Sequence, residues 1–209
     1  MKSNGSKIQS LEDVPTPVTP SKFAHFVLKT SQFPETVRWY KTVLSASVTQ
    51  ENERLCFLTY DQENHRVAIV NLPGLTRREA GISGVDHVSY TYASLAELLV
   101  TYRRLKAEGI LPRWSINHVV TTSFYYEDPD GNRVELQFEN FPTDEKLNDY
   151  MRSEEFSRNT LGDVFDPDEM IRRYEAGVPV EELTRGLGTE FGEAQINILA
   201  QMGLAELPA

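Results

Sequence analysis

Between residues 22 and 140 the chain alternates between two hydrophobic rhythms. Short runs rich in β-branched and aromatic residues read as strands: Phe23–Leu28, Ser45–Glu51, Leu55–Tyr60 and Arg66–Asn71, then Val85–Thr91, Arg113–Ile116, Thr121–Glu127 and Arg133–Glu139. Two other stretches repeat apolar residues every three or four positions, which places them on one face of a helix. They carry Phe33, Val37, Tyr40 and Leu44 in one case, and Leu95, Leu98, Leu99, Tyr102 and Leu105 in the other. Pro34 suits the first turn of its helix and Gly109 the stop of the second. Each helix follows one strand and precedes three, so the chain reads as two βαβββ modules, 22–72 and 84–140. A shift of 62 residues lays one on the other, with His25 meeting His87, Glu35 meeting Glu97 and Tyr40 meeting Tyr102. After Pro142 only helical stretches with aspartate-proline starts and glycine stops remain, so 141–209 reads as a helical extension lying on the modules. Residues 1–21, with three prolines, read as an extended arm. The expected fold class is α+β: two paired βαβββ modules (22–140) whose curved sheets form a cupped mixed β-sheet barrel around a concave site.

Composition narrows the possible partners. The chain is 40% apolar and 25% charged, with no apolar run near the roughly 18 residues of a membrane span. Its start lacks the apolar core of a secretory signal, so a cytoplasmic location is expected. The single cysteine, Cys56, lies in an apolar run and allows no disulfide framework. Of the net charge of −10, nearly all belongs to residues 141–209, which hold 15 acidic against 6 basic side chains. Nucleic acid is not expected as a partner, because phosphate contacts need a basic surface.

The candidate chemistry comes from the repeat. There are four histidines, His25, His65, His87 and His118. A lone histidine is usually held by a backbone carbonyl, but His25 and His87 occupy the same place in two modules and would face each other across a pseudo-twofold axis. Strand alternation puts Arg133, Glu135 and Gln137 on the face opposite Val134, Leu136 and Phe138. N-H-R-V-A-I in the first module matches G-N-R-V-E-L in the second, so Ala68 stands where Glu135 does. A solitary strand glutamate ordinarily faces solvent. With two imidazoles it makes the set that binds non-haem Fe(II), or Mn(II) less well matched here, with coordination positions left open.

The stretch I-N-H-V-V-T-T-S-F-Y-Y-E-D-P-D-G-N-R-V-E (116–135) resembles the signature of the type I extradiol ring-cleaving dioxygenases of the vicinal oxygen chelate superfamily. His118, Tyr125, Asp128-Pro129, Gly131 and Glu135 fall on its pattern, and the likeness spans roughly 22–140. It implies His25, His87 and Glu135 as Fe(II) ligands, and His118 and Tyr125 as groups that bind and help deprotonate a catechol. It also implies His65, in N-H-R-V-A, as a general acid, although Asn64 replaces the first histidine of the family's doublet and the loop to His87 is longer than in the family. The implied reaction is extradiol cleavage of a small aromatic diol by O2 to a ring-opened semialdehyde or keto acid. By analogy the protein is expected to be a homo-oligomer. Rival readings are a metal-dependent glyoxalase or epimerase, a thiol-transferring resistance enzyme, or a metal-free small-molecule-binding protein of the same superfamily. Trp114, Phe57, Phe124, Tyr126 and Phe138 are candidates for the wall of an aromatic pocket, and the extension for its lid or for an interface.

Overall fold

The computed structural model describes residues 10–14, 16–79, 82–201 and 203. Most of the arm therefore lies outside the described residues; within it, Leu11–Asp13 form one turn of 3-10 helix capped by the Ser10 side chain.

The first module runs β1 (Phe26–Thr30), α1 (Phe33–Leu44), β2 (Ser47–Glu51), β3 (Leu55–Thr59) and β4 (Val67–Asn71). The second runs β5 (His87–Thr91), α2 (Leu95–Ala107), β6 (Trp114–Asn117), β7 (Thr121–Glu127) and β8 (Arg133–Glu139). Local chemistry sets the helix limits. Ser94 caps α2 by accepting from the Glu97 amide, and α1 ends where Ser45 turns left-handed at φ 51°.

Both modules have the same topology. The sheet orders are β1-β4-β3-β2 and β5-β8-β7-β6-β9, where β9 is the two-residue strand Asp163–Val164 of the extension. β1 is parallel to β4 and β5 to β8, while the other pairings are antiparallel. The register reproduces the 62-residue repeat: Phe26 pairs with Val67 as Val88 pairs with Val134.

The helix-bearing faces of both sheets share one core. It holds Tyr40 and Val43 from α1, Leu58 and Ile69 from the first sheet, Leu98 and Leu105 from α2, and Phe124, Tyr126 and Leu136 from the second. Polar contacts lock the modules at the same place. Arg104 donates to the carbonyls of Thr42 and Val43 at 2.6 and 3.2 Å. The D-P-D-G-N turn docks on α1, with Tyr40 donating to Asp128 at 3.1 Å and Gln32 and Thr36 donating to Asp130. Burial raises the Asp128 carboxyl above its ordinary value, and four donors hold it in place.

Three expectations are corrected. The sheets do not close into a barrel: among the described residues no strand of one pairs with a strand of the other. The first strand begins at Phe26, so His25 precedes it and is exposed. The extension also contains a strand, because Val164 and Asp163 pair with Ile116 and Asn117 on the free edge of β6. Its helices are α3 (Asp144–Met151), α4 (Glu154–Arg158), α5 (Pro167–Glu175), α6 (Val180–Leu183) and α7 (Glu193–Gln201). Met170 and Ile171 of α5 and Leu183 of α6 enter the main core. Among the described residues no helix is long and apolar enough to cross a membrane.

Candidate active site

Tyr125 on β7 and Glu135 on β8 are register partners, and Ser89 on β5 pairs with Glu135 from the other side. Two residues before Ser89, on the same face, His87 opens β5. The pleat therefore brings three functional groups together from three adjacent strands. His87 Nε2 lies 3.2 Å from Glu135 Oε2, and the Tyr125 hydroxyl donates to Glu135 Oε1 at 2.8 Å. His118, in the turn between β6 and β7, places Nε2 2.9 Å from the Tyr125 hydroxyl.

The surroundings fix these rings. The Leu161 carbonyl of the extension bonds His118 Nδ1. A carbonyl only accepts, so Nδ1 carries the proton and the neutral ring presents a lone pair at Nε2. Burial keeps His118 neutral by lowering its pKa. Asp86 accepts from His87 Nδ1 at 2.8 Å and from Arg133 at 2.7 Å, an arrangement that orients an imidazole and raises its basicity. Hydrogen bonding to Glu135, with Asp86 assisting against desolvation, raises His87 to about 8. Burial pushes the Glu135 carboxyl upward, yet hydrogen bonds from His87, Ser123, Ser89 and Tyr125 hold it at about 2.

Glu135 faces away from the main core but is only 5% exposed, and the extension covers its neighbours on β6 and β7 on this face. Ile198 of α7 packs with Trp114, Ile116 and Tyr125, joined by Leu161, and Trp114 Nε1 donates to Gln201 at 3.2 Å. Two backbone features press the extension against the His118 turn. A side chain on Gly162, at φ +88°, would lie 2.1 Å from the Asn117 carbonyl oxygen. Val119 sits at φ 66°, a conformation costly for a β-branched residue.

Four of the six residues picked out from the sequence thus lie together: His87, His118, Tyr125 and Glu135. The other two form a separate pair on the first sheet. The rings of His25 and His65 are 4.4 Å apart between centroids, and His65 stacks on Phe57 at 4.3 Å and 10°. Among the described residues no three His, Cys, Asp or Glu side chains are gathered to hold a metal ion. His87 and Glu135 are thus two donors of the expected three-donor set in contact at one place, while His25 lies with His65 at another.

Of the candidate wall residues, Trp114 lines the site face, Phe57 backs His65, and Phe124, Tyr126 and Phe138 belong to the main core on the opposite face. Sequence reasoning missed Asp86, although G-V-D-H places an acid directly before the histidine. It also missed the Leu161 carbonyl, which no local signal marks.

A family model described as the Glyoxalase/Bleomycin resistance protein/Dioxygenase superfamily matches residues 22–136. The chain is 46% identical over 190 residues to biphenyl-2,3-diol 1,2-dioxygenase 3 of Rhodococcus globerulus, covering 88% of this chain and 97% of the relative. It is 47% identical over 164 residues to biphenyl-2,3-diol 1,2-dioxygenase 2 of the same organism, covering 78% and 86%. It is also similar to lactoylglutathione lyase from Agrobacterium tumefaciens, at 19% identity and TM-score 0.47, covering 57% of this chain and 94% of that one. The 190-residue match is longer than arm and modules together, so it takes in much of the extension that packs on Tyr125. The chain belongs to the glyoxalase/bleomycin resistance protein/dioxygenase superfamily and, within it, to the extradiol ring-cleaving dioxygenases.

Proposed function

We propose that the protein cleaves a vicinal aromatic diol of the biphenyl-2,3-diol kind with O2, using Fe(II) held by His87, Glu135 and His25, and yields a ring-opened semialdehyde or keto acid. The observation that carries this reading is the continuous chain Leu161 carbonyl–His118–Tyr125–Glu135, with His87 against the same carboxylate. Fe(II), when bound, supplies attachment for two vicinal oxygens and activates dioxygen.

The protein's own part is proton handling and enclosure. Tyr125 has one proton and two acceptors, His118 Nε2 and Glu135 Oε1. Because Nδ1–H is committed to Leu161, His118 Nε2 is the lone pair that takes a proton released from a diol hydroxyl, directly or through the Tyr125 oxygen. Burial and the Glu135 charge raise the Tyr125 pKa far above its ordinary value, so it works as a neutral relay rather than a phenolate. His65, which lies beside His25, returns a proton to product in this reading. In this reading residues 22–140 are the catalytic unit, and the extension excludes water from Tyr125 and Glu135.

The test is anaerobic loading with Fe(II), addition of biphenyl-2,3-diol or catechol, and admission of air. A yellow ring-fission product with matching oxygen uptake is expected. No colour and no uptake across several vicinal diols would sink the reading.

A further inference from the structure

Each module carries an arginine beside its candidate histidine. In N-H-R-V-A-I and G-N-R-V-E-L, Arg66 immediately precedes β4 and Arg133 opens β8. Val67 and Val134 turn into the main core, so both arginines lie on the opposite face, the one that carries Glu135 in the second module. The register sets Arg133 beside His87, and the bond from the Phe26 amide to the Arg66 carbonyl sets Arg66 beside His25. Both side chains are mostly buried, at 19% and 11% exposed.

Arg133 reaches the histidine ring through a carboxylate. It donates to Asp86 Oδ1 at 2.7 Å, and Asp86 Oδ2 accepts from His87 Nδ1 at 2.8 Å. The Asp86 side chain is half exposed, so without the arginine its carboxylate would be free to turn among rotamers. The guanidinium is steadied in turn by the Trp114 ring, whose centroid lies 5.2 Å away, and Trp114 is bonded to Gln201 of α7. His87 Nδ1 is thereby committed, which leaves Nε2 toward Glu135.

Arg66 works on the backbone instead, because Ala24 rather than an aspartate precedes His25. Its Nη1 donates to the carbonyls of Phe23 and Ala24, the second at 3.1 Å. The Ala24 carbonyl belongs to the peptide unit that enters His25. The Phe26 amide, 3.2 Å from the Arg66 carbonyl, belongs to the unit that leaves it. Peptide units are planar, so anchoring both fixes the direction of the Cα–Cβ bond of an exposed histidine that lies ahead of its strand. Nε donates to Asp61 at 2.9 Å. A lysine ammonium would serve that ion pair, but not three acceptors in different directions.

We propose that Arg66 and Arg133 are positioning residues: Arg133 aims the His87 ring through Asp86, and Arg66 fixes the backbone that carries His25. The proposal rests on the metal-dependent reading above and adds what sets its two histidines. The repeat keeps the arginine, and the residue ahead of each histidine decides whether it grips a carboxylate or main-chain carbonyls.

The test replaces each arginine with lysine in the full-length protein, which keeps the charge and removes the planar fork. Arg172→Lys, in an exposed ion pair with Glu169 on α5, is the control. Anaerobic titration should show Fe(II) bound about 10–100-fold more weakly by Arg66→Lys and by Arg133→Lys, and as tightly as wild type by Arg172→Lys. At full Co(II) occupancy the visible absorption bands, which report ligand geometry, should shift in the same two variants only. A purely structural role would lower the thermal midpoint of the metal-free protein and leave those bands in place. Arg133→Lys added to Asp86→Ala should weaken Fe(II) no further, and a further loss would overturn the route through that carboxylate. Should a lysine variant misfold, Asp86→Ala stands in for Arg133→Lys, and Asp61→Ala, which releases one end of the guanidinium, for Arg66→Lys; each must weaken Fe(II) and shift the bands. In either variant, Fe(II) affinity and Co(II) bands equal to wild type would overturn that arginine's role while leaving the dioxygenase reading intact. A wild-type protein that takes up neither metal ion would overturn the metal-dependent reading, and these roles with it.

Discussion

At the scale of single residues, the site is governed by a shortage of protons. Tyr125 can donate to His118 or to Glu135 but not to both, so replacing it with Phe removes the relay while leaving His87 and Glu135 in place. Tyr125→Phe and His118→Ala should each lower kcat about 10²–10⁴-fold with bound iron unchanged, as single-turnover kinetics beside metal analysis would measure; loss of iron in step with activity would refute the relay. The His87–Glu135 pair makes the metal-free protein pH-sensitive in a definite direction. Because His87 is raised from 6.5 to about 8, its stabilising contribution is complete below 6.5 and disappears as pH rises through 8. Glu135, lowered from 4.5 to about 2, contributes fully above 4.5 and ceases to contribute as pH falls through 2. The thermal midpoint of metal-free protein should therefore drop between pH 6 and pH 9, and drop less in His87→Asn. On the ligand set proposed above, Fe(II) would displace the His87 proton, so its apparent affinity should rise about tenfold per pH unit below 8, which anaerobic titration at three pH values would show.

At the scale of elements, the repeat was legible because each module meets the same packing demand twice: an apolar helix stripe on one sheet face, with Tyr40 and Tyr102 in equivalent places. Strand alternation likewise placed Glu135 opposite Val134 and Leu136, and a one-residue change of register would have buried the wrong set. What could not be read was how the two sheets sit relative to each other. Facing histidines follow from the repeat only if β1 and β5 adjoin, and that depends on whether the helix faces or the sheet edges meet within a chain. The β9 strand was hidden for a similar reason, since Asp163 and Val164 are extended only because the free edge of β6 is there to pair with them. The same extension makes α7 a working part of the site. Ile198→Ala should destabilise the protein by about 2–5 kcal/mol and, with Trp39 replaced by Phe, shift Trp114 emission to longer wavelength as its cover loosens. Gly162→Ala acts one layer nearer. Its new methyl group meets the Asn117 carbonyl and the His118 Cα, which should cost about 2 kcal/mol or more and displace Leu161 from His118. Unchanged kcat in Gly162→Ala would show that the Leu161 carbonyl does not position the histidine.

For the whole molecule, the decisive feature is that one core serves both modules and the extension. Leu98 of α2, Val43 of α1 and Met170 of α5 belong to the same cluster, so neither module can unfold and leave its neighbour's apolar face intact. The tie through Arg104 to the end of α1 and through Tyr40 to Asp128 adds buried polar groups that would be left without partners if the modules separated. Calorimetry of the metal-free protein should accordingly give one transition whose calorimetric and van't Hoff enthalpies agree once chain association is included, not two separate melts. Leu98→Ala, at a fully buried position, should lower that single midpoint by the equivalent of about 2–5 kcal/mol without splitting it. Arg104→Ala tests the joint itself. Loss of its bonds to Thr42 and Val43 should weaken both modules together, so circular dichroism and Trp114 fluorescence should report the same lowered midpoint. Two midpoints in Arg104→Ala would mean that the modules are separate folding units held together only at their surfaces, and the shared core would then no longer explain why His25 stays apart from His87.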